Sequence, residues 1–372
     1  MDLVLLVGSL ALILVGAELF TNGIEWFGHK LNLAEGAVGS VLAAVATAMP
    51  ETLIPVIAIV GPIVLGGDPG NSAEVGVGAI LGAPFMLSTL AMFVTGVGVI
   101  ILARRGRRGT DMRVSVGVLG RDVLFFMVAY AVAIGAAFLP ASVHWLKWPV
   151  AAALLVCYAV YVRAHFTDEP AETDPADLNR LHLSRLGELG RSPELDVELL
   201  PDARSDADAE VPVPRLRVIL TQVMIALAAI IAGAQIFVGA VEHLSQTVGL
   251  DPRILALVIA PIATELPEKF NSLLWVGSGK DTLAMGNITG AMVFQSCIPT
   301  VLGIAFTEWT FGAASALSFA SAGAAFLATA LIFGMMQRAG RLSAWTLLLG
   351  GPIYVIYIFA ALSLQVPVAP AH

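Results

Sequence analysis

Charge is scarce in this chain. Only 13% of its 372 residues are charged and 58% are hydrophobic, against about 25% charged in an average soluble domain. The shortfall excludes a soluble globular domain, a disordered chain and a nucleic-acid binder. Cysteine is nearly absent: Cys157 and Cys297 both sit inside apolar runs, so neither a disulfide framework nor a Cys-rich metal site can be read. The six histidines are scattered without ligand spacing. A basic leader is missing as well. Met1-Asp2 opens onto an apolar stretch that reaches Glu18 without a small-residue cleavage site, so a cleavable signal is not expected. No G-x-S-G, paired intramembrane aspartates or H-E-x-x-H stands in the sequence, which argues against an intramembrane enzyme.

What charge there is lies unevenly. Residues 166–214 hold 13 of the 28 acids and 4 of the 20 bases, leaving 15 acids against 16 bases elsewhere. The net charge of -8 therefore belongs to one Asp-, Glu- and Pro-rich segment, and the rest is a nearly neutral apolar body. Segment 166–214 reads as an acidic linker with one short Leu-rich stretch, Leu178 to Leu189. The alternative, a cation-sensing loop, lacks an EF-hand-like run.

Ten apolar runs are long enough to cross a bilayer as helices: roughly 2–28, 35–63, 72–102, 120–139, 147–165, 216–243, 253–276, 282–307, 311–336 and 343–364. The expected architecture is an all-α polytopic membrane protein, with 1–165 and 215–372 as two five-helix repeats flanking the linker. Basic residues collect in the odd-numbered loops: Lys30, Arg104 to Arg108 with Arg113, Lys280, and Arg338 with Arg341. The positive-inside rule then places both termini outside and the linker in the cytoplasm, with the plasma (inner) membrane as the expected location. The 104–108 cluster reads as a topology anchor, or alternatively as a lipid or regulatory site.

The halves repeat. Gly16-Ala17-Glu18-Leu19-Phe20 matches Gly233-Ala234-Gln235-Ile236-Phe237 at an offset of 217, as Glu25 matches Glu242. At the same offset Ala46-Thr47-Ala48-Met49-Pro50-Glu51 matches Ala263-Thr264-Glu265-Leu266-Pro267-Glu268. At an offset of 208, Gly78 to Ala83 matches Gly286 to Ala291, and Ser88 matches Ser296. Five spans per half force the second copy to sit upside down relative to the first. Inverted repeats of this kind place a substrate site near the midplane between the copies.

That midplane is where the polar residues gather. Glu51 and Glu268 are mid-span carboxylates at matching positions, each preceded by a proline. Pro50 and Pro267 lack an N–H, so the carbonyls of Ala46 and Ala263 lose their helical partners. Thr47 and Thr264 stand four residues before their glutamates, on the same helix face, and Glu265 lies three before Glu268. The offered ligands are all hard oxygens, which suit Ca²⁺ or Na⁺. Ser88, Gln295, Ser296 and Asn287 are candidates for further neutral oxygens. Gly78, Gly82, Gly286 and Gly290 have the small-xxx-small spacing that lets helices approach closely. Glu18 is also mid-span, suited to a proton path, an auxiliary site or a hydrogen bond to a neighbouring helix.

Over nearly its whole length, linker excepted, the chain resembles the Ca²⁺/cation antiporter superfamily, with the sodium/calcium exchanger fold of ten transmembrane helices in two inverted five-helix repeats. The family signature G-T-S-x-P-E stands here as Ala46 to Glu51 and Ala263 to Glu268, and its G-N-x-x-G-S-N-type motif as Gly78 to Ala83 and Gly286 to Ala291. The departures concern neutral ligands. The signature Ser is Ala48 and Glu265, the second-motif Ser is Ala83 and Ala291, and the acid or amide four residues later is Leu87 and Gln295. One carboxylate has moved from position 295 to 265.

The resemblance implies a secondary active antiporter, exporting Ca²⁺ in exchange for Na⁺ or H⁺. Glu51, Glu268 and Glu265 would be its ligands, with Thr47, Thr264, Ala46, Ala263, Gln295, Ser88 and Ser296 as supporting oxygens. No cofactor is expected; the partners are inorganic cations and the lipid bilayer, and no nucleic acid. Alternatives are a proton-coupled antiporter for Na⁺, Mg²⁺ or Mn²⁺, or a cation channel.

Overall fold

A computed structural model describes residues 2–30, 49–66, 70–166, 181–183, 214–277, 279–313 and 315–364. Among the described residues, ten long helices run in chain order: α1 (Asp2–Lys30), α2 (Met49–Val64), α3 (Gly70–Arg104), α4 (Val116–Gly135), α5 (Lys147–Phe166), α6 (Leu216–Val248), α7 (Pro252–Gly277), α8 (Asp281–Phe306), α9 (Ala316–Ala339) and α10 (Gly350–Ser363). Among the described residues, eight stretches are long and apolar enough to cross a membrane, and α2 and α7 contribute the shorter apolar stretches Glu51–Val64 and Pro252–Ile262. The first part of the run at 35–63 lies outside the described residues.

The inverted repeat is visible where α1 crosses α6. A Cβ added at Gly16 would lie 2.8 Å from Ile230 Cγ1 and 3.1 Å from the Ala226 carbonyl. One added at Gly233 would lie 2.8 Å from Ile13 Cγ1 and 3.1 Å from the Ser9 carbonyl. Each contact is the other shifted by the repeat offset of 217, so a pseudo-twofold axis runs between the two helices. The crossing sits near the middle of α1, whose 29 residues rise about 43 Å.

A second close approach brings α3 against α7. A Cβ on Gly78 would meet the Arg253 carbonyl at 2.1 Å, and one on Gly82 would meet the Leu257 carbonyl at 2.3 Å and Pro261 Cγ at 2.8 Å. Pro261 has no N–H to offer Leu257, so that carbonyl loses its helical partner and turns its oxygen on the Gly82 backbone. A Cβ on Gly290, by contrast, would lie 3.3 Å from the Tyr161 hydroxyl, and among the described residues nothing lies within 4 Å of a Cβ on Gly286.

Within α3, residues Leu87–Ala91 form a π turn. The Ser88 and Thr89 hydroxyls donate to the carbonyls of Pro84 and Phe85, which supports the widened turn. The Thr89 carbonyl is where Gly350 of α10 packs, 2.2 Å from its would-be Cβ.

Three of the loops that carry the basic residues, α3–α4, α7–α8 and α9–α10, meet on one face; the loop after Lys30 lies outside the described residues. Asp111–Met112 pairs antiparallel with Leu342–Ser343, joining the α3–α4 and α9–α10 loops. Arg108 forks onto Asp281, with Nη1 and Nη2 each 2.7 Å from a carboxylate oxygen, and donates to the Val276 carbonyl at 2.9 Å. The Arg113 N–H adds a bond to Asp281 at 2.7 Å. Arg108 is thus a clamp between two loops as well as part of a basic cluster. With Asp281 only 2% exposed, Asp281→Asn strands a half-buried guanidinium. The expected loss is about 3–5 kcal/mol, read as a lowered Tm in detergent.

Candidate functional site

The site builds outward from Glu51, in the first turn of α2. Its side chain is 6% exposed, and Thr264 and Glu265 on α7 are each 2% exposed. Glu51, Ile54, Ala79, Ala83, Pro261 and Thr264 line a cavity of about 10 Å³, completed by Ala260. That is room for about one water molecule. Three helices, α2, α3 and α7, therefore bring one repeat's glutamate to the other repeat's signature threonine. The Thr264 hydroxyl donates to the Ala260 carbonyl at 3.0 Å, which leaves its oxygen lone pairs to face the cavity.

One residue on from Thr264, Glu265 Oε1 accepts from Gln295 Nε2 of α8 at 3.3 Å, and neither residue lines the cavity. Gln295 is 1% exposed. The position that bears the family's acid or amide and the position that bears the acid here are neighbours across the α7–α8 seam. Pro299 explains a further local bond: it cannot donate to the Gln295 carbonyl, and Thr300 Oγ1 takes that acceptor at 2.9 Å. Farther along the seam, Asn287 Nδ2 donates to Ser272 Oγ at 3.3 Å.

The other candidates fall differently. Ser88 and Ser296 are buried, and their hydroxyls bond to carbonyls of their own helices, Pro84 and Phe85 for Ser88 and Val293 for Ser296. Glu268 and Ala263 lie within α7, but their side chains lie outside the described set. Thr47 and Ala46 lie outside the described residues. Glu18 stands away from the cavity, with its side chain 70% exposed and Oε1 3.4 Å from His182 Nε2 of the linker.

A vestibule of about 500 Å³ lies along the same helix pair, lined in part by Glu74, Val77, Arg253, Glu308 and Trp309. Arg253 pairs with Glu74 at 3.3 Å and with Asp251 at 3.3 Å. On α3 the vestibule residues end at Val77 and the cavity residues begin at Ala79, so Gly78, packed on the Arg253 carbonyl, stands between them.

Sequence reasoning missed Asp122. It is fully buried in α4, accepts the Thr289 hydroxyl of α8 at 2.6 Å, and lies within hydrogen-bonding reach of Tyr161 of α5. Its place beside Arg121 makes it read as the edge of a span.

A family model described as "Sodium/calcium exchanger protein" matches residues 1–166 and 218–363. "Putative antiporter CaxA" of Alkalimonas amylolytica is 28% identical over 142 residues, covering 37% of this chain and 44% of that protein. An uncharacterized membrane protein of Methanocaldococcus jannaschii is 36% identical over 89 residues, covering 23% of this chain and 30% of that protein. The matches thus span under half the length of either relative. Among solved structures, the H⁺/Ca²⁺ exchanger CAX superposes with a TM-score of 0.65 at 14% identity, over 97% of this chain and 87% of that one. Native YfkE gives 0.63 at 13%, over 98% and 93%. The sodium-calcium exchanger NCX_Mj gives 0.51 at 16%, over 98% and 99%. At such identities the likeness is one of fold.

Proposed function

Because this chain belongs to the sodium/calcium exchanger protein family, we propose that it is a secondary active antiporter that exports Ca²⁺ in exchange for a counter-ion, with H⁺ favoured over Na⁺. Glu51, Glu265 and Glu268 are the carboxylates of the site; Thr264 and Gln295 support it, and Thr47 completes it from the first repeat. Alternating access comes from sliding of α1 and α6 past this site. The basic-loop face is the cytoplasmic one, and the two repeats are 1–165 and 215–372.

The observation that carries this reading is the meeting of Glu51 with Thr264 around a cavity of water size, with Glu265, the next residue of α7, bonded to Gln295. A cavity that small takes an ion stripped of most of its water, and hard oxygens with carboxylate charge replace that shell best for a divalent cation. The preference for H⁺ has its own support. The neutral oxygens of the family's pattern are replaced by Ala48, Ala83, Ala291 and Leu87. Closely set carboxylates, meanwhile, favour sharing protons when no cation separates them.

The relocated acid gives a direct test. Glu265→Ser is expected to lower Ca²⁺ uptake into proteoliposomes about hundredfold, and adding Gln295→Asp is expected to restore most of it, because the charge returns to the same ligand space. Equal loss in the single and double variants contradicts the relocation.

A further inference from the structure

The linker touches the membrane helices at one described place, Leu181–Leu183, where Leu181 packs on both α1 and α6, His182 bonds to α1 and Leu183 bonds to α6. Leu181 is 1% exposed and packs with Trp26 of α1 and Ile219 of α6. The His182 N–H donates to Asn22 Oδ1 at 3.1 Å, and the Leu183 N–H donates to Gln222 Oε1 at 2.8 Å. Gln222 Nε2 in turn donates to the Leu19 carbonyl at 2.9 Å and to Asn22 Oδ1 at 3.0 Å. His182 Nε2 reaches Glu18, also on α1.

Two buried amides in an apolar helix pair cost free energy unless their bonds are met. Here Asn22 and Gln222, 4% and 2% exposed, meet theirs by joining three pieces of chain. The repeat is broken at both positions: at an offset of 217, Asn22 corresponds to Gly239 and Gln222 to Leu5. The α1–α6 crossing therefore has Gly239 and Leu5, not an amide pair, at the matching positions of its opposite end. The amides are present at the end the linker approaches, with their oxygens spent on linker backbone.

We propose that Leu181–Leu183 is a strap that docks in the Asn22–Gln222 notch and binds α1 to α6, so that the two helices slide as one body. The role of the slide rests on the exchanger reading of the site; the docking itself does not. Bonds made to both helices resist their separation and leave their joint motion free, which makes the strap a coupler and not a brake. Asn22 and Gln222 are positioning residues for the slide. The acidic linker then contributes a working part to the membrane body through three residues.

The test combines hydrogen exchange and transport on the full-length protein. In detergent, the His182 and Leu183 backbone amides are expected to be protected in the unsubstituted chain and to lose that protection in Asn22→Leu/Gln222→Leu. In proteoliposomes the same variant is expected to lose about tenfold in maximal Ca²⁺ exchange rate, the size of one or two lost hydrogen bonds, with the Ca²⁺ concentration at half-maximal rate unchanged. Leu181→Asp leaves both helices intact and is expected to give the same loss.

A direct cross-link should rescue the rate. A Cβ on Gly23 lies 2.7 Å from Val223 Cγ2, so Gly23→Cys/Val223→Cys places two sulfurs across the same seam. Its disulfide is expected to restore exchange in the notch variant, and reduction to remove it again. Unprotected amides in the unsubstituted chain, an unchanged rate or a raised rate in the variants, or failure of the cross-link to rescue would each overturn the strap. Absence of any exchange in the unsubstituted chain overturns the exchanger reading instead, while the protection measurement still decides the docking.

Discussion

Glu51→Gln is expected to reduce Ca²⁺ exchange to the level of protein-free vesicles without lowering the Tm. The substitution keeps the side chain's shape and removes its charge. The cavity beside Glu51 holds about 10 Å³, so a cation arrives without most of its hydration shell and the protein supplies the compensating charge. Even at an effective dielectric of ~20, one carboxylate against a divalent ion a few Å away contributes on the order of several kcal/mol. Losing it costs more than about a thousandfold in affinity. Stability moves the other way, because a buried neutral amide carries a smaller desolvation cost than a buried carboxylate. Flux and a melting curve on the same preparation check both halves. A well-folded Glu51→Gln protein that exchanges Ca²⁺ normally would remove Glu51 from the site.

Gly82→Ala is expected to destabilise the chain by about 1–3 kcal/mol or more and to depress exchange with it. The added methyl would stand 2.3 Å from the Leu257 carbonyl and 2.8 Å from Pro261 Cγ. Both atoms belong to backbone or a ring, so neither can swing aside and α3 has to move away from α7. Those two helices wall the cavity and separate it from the vestibule, so the displacement reaches the site. Gly334→Ala in α9 is the control. Among the described residues nothing lies within 4 Å of its would-be Cβ, and there the exchange of Gly for Ala is expected to be neutral or to stabilise by up to about 1 kcal/mol. Thermal unfolding of the two variants in detergent separates them. Equal melting temperatures would mean that the α3–α7 seam is loose.

Much of this was legible in the sequence, for identifiable reasons. Helix number follows from the lengths of apolar runs, and the inverted arrangement follows from an odd number of spans per repeat. The offset that matches Gly16 to Gly233 reappears as a contact that the fold makes twice, once in each direction, although the sequence match by itself named no contact there. The juxtaposition of Glu265 with Gln295 was readable because an acid missing at one motif position stood at another. Other features left no periodic trace. Asn22 and Gln222 are single polar residues in long apolar runs, without repeat partners, and their meaning depends on a linker far away in sequence. The π turn at Leu87–Ala91 is supported by the Ser88 and Thr89 hydroxyls bonded to Pro84 and Phe85, a pattern that apolar run length does not register. Ser88 and Ser296 read as candidate ligands by register, yet their hydroxyl hydrogens go to their own helices. Glu18, read as mid-span, faces outward and meets the linker instead of a neighbouring helix.

The central claim is obligatory exchange at the Glu51 site. It is tested most directly by radiolabelled Ca²⁺ uptake into proteoliposomes under an imposed H⁺ gradient, an imposed Na⁺ gradient, or neither. The account predicts uptake that follows the outward H⁺ gradient, carries protons the opposite way, stops when the gradient is collapsed with Ca²⁺ at equal concentration on both sides, and vanishes in Glu51→Gln. Uptake that runs down a Ca²⁺ gradient with no counter-ion moving, undiminished in Glu51→Gln, would describe a channel and contradict it.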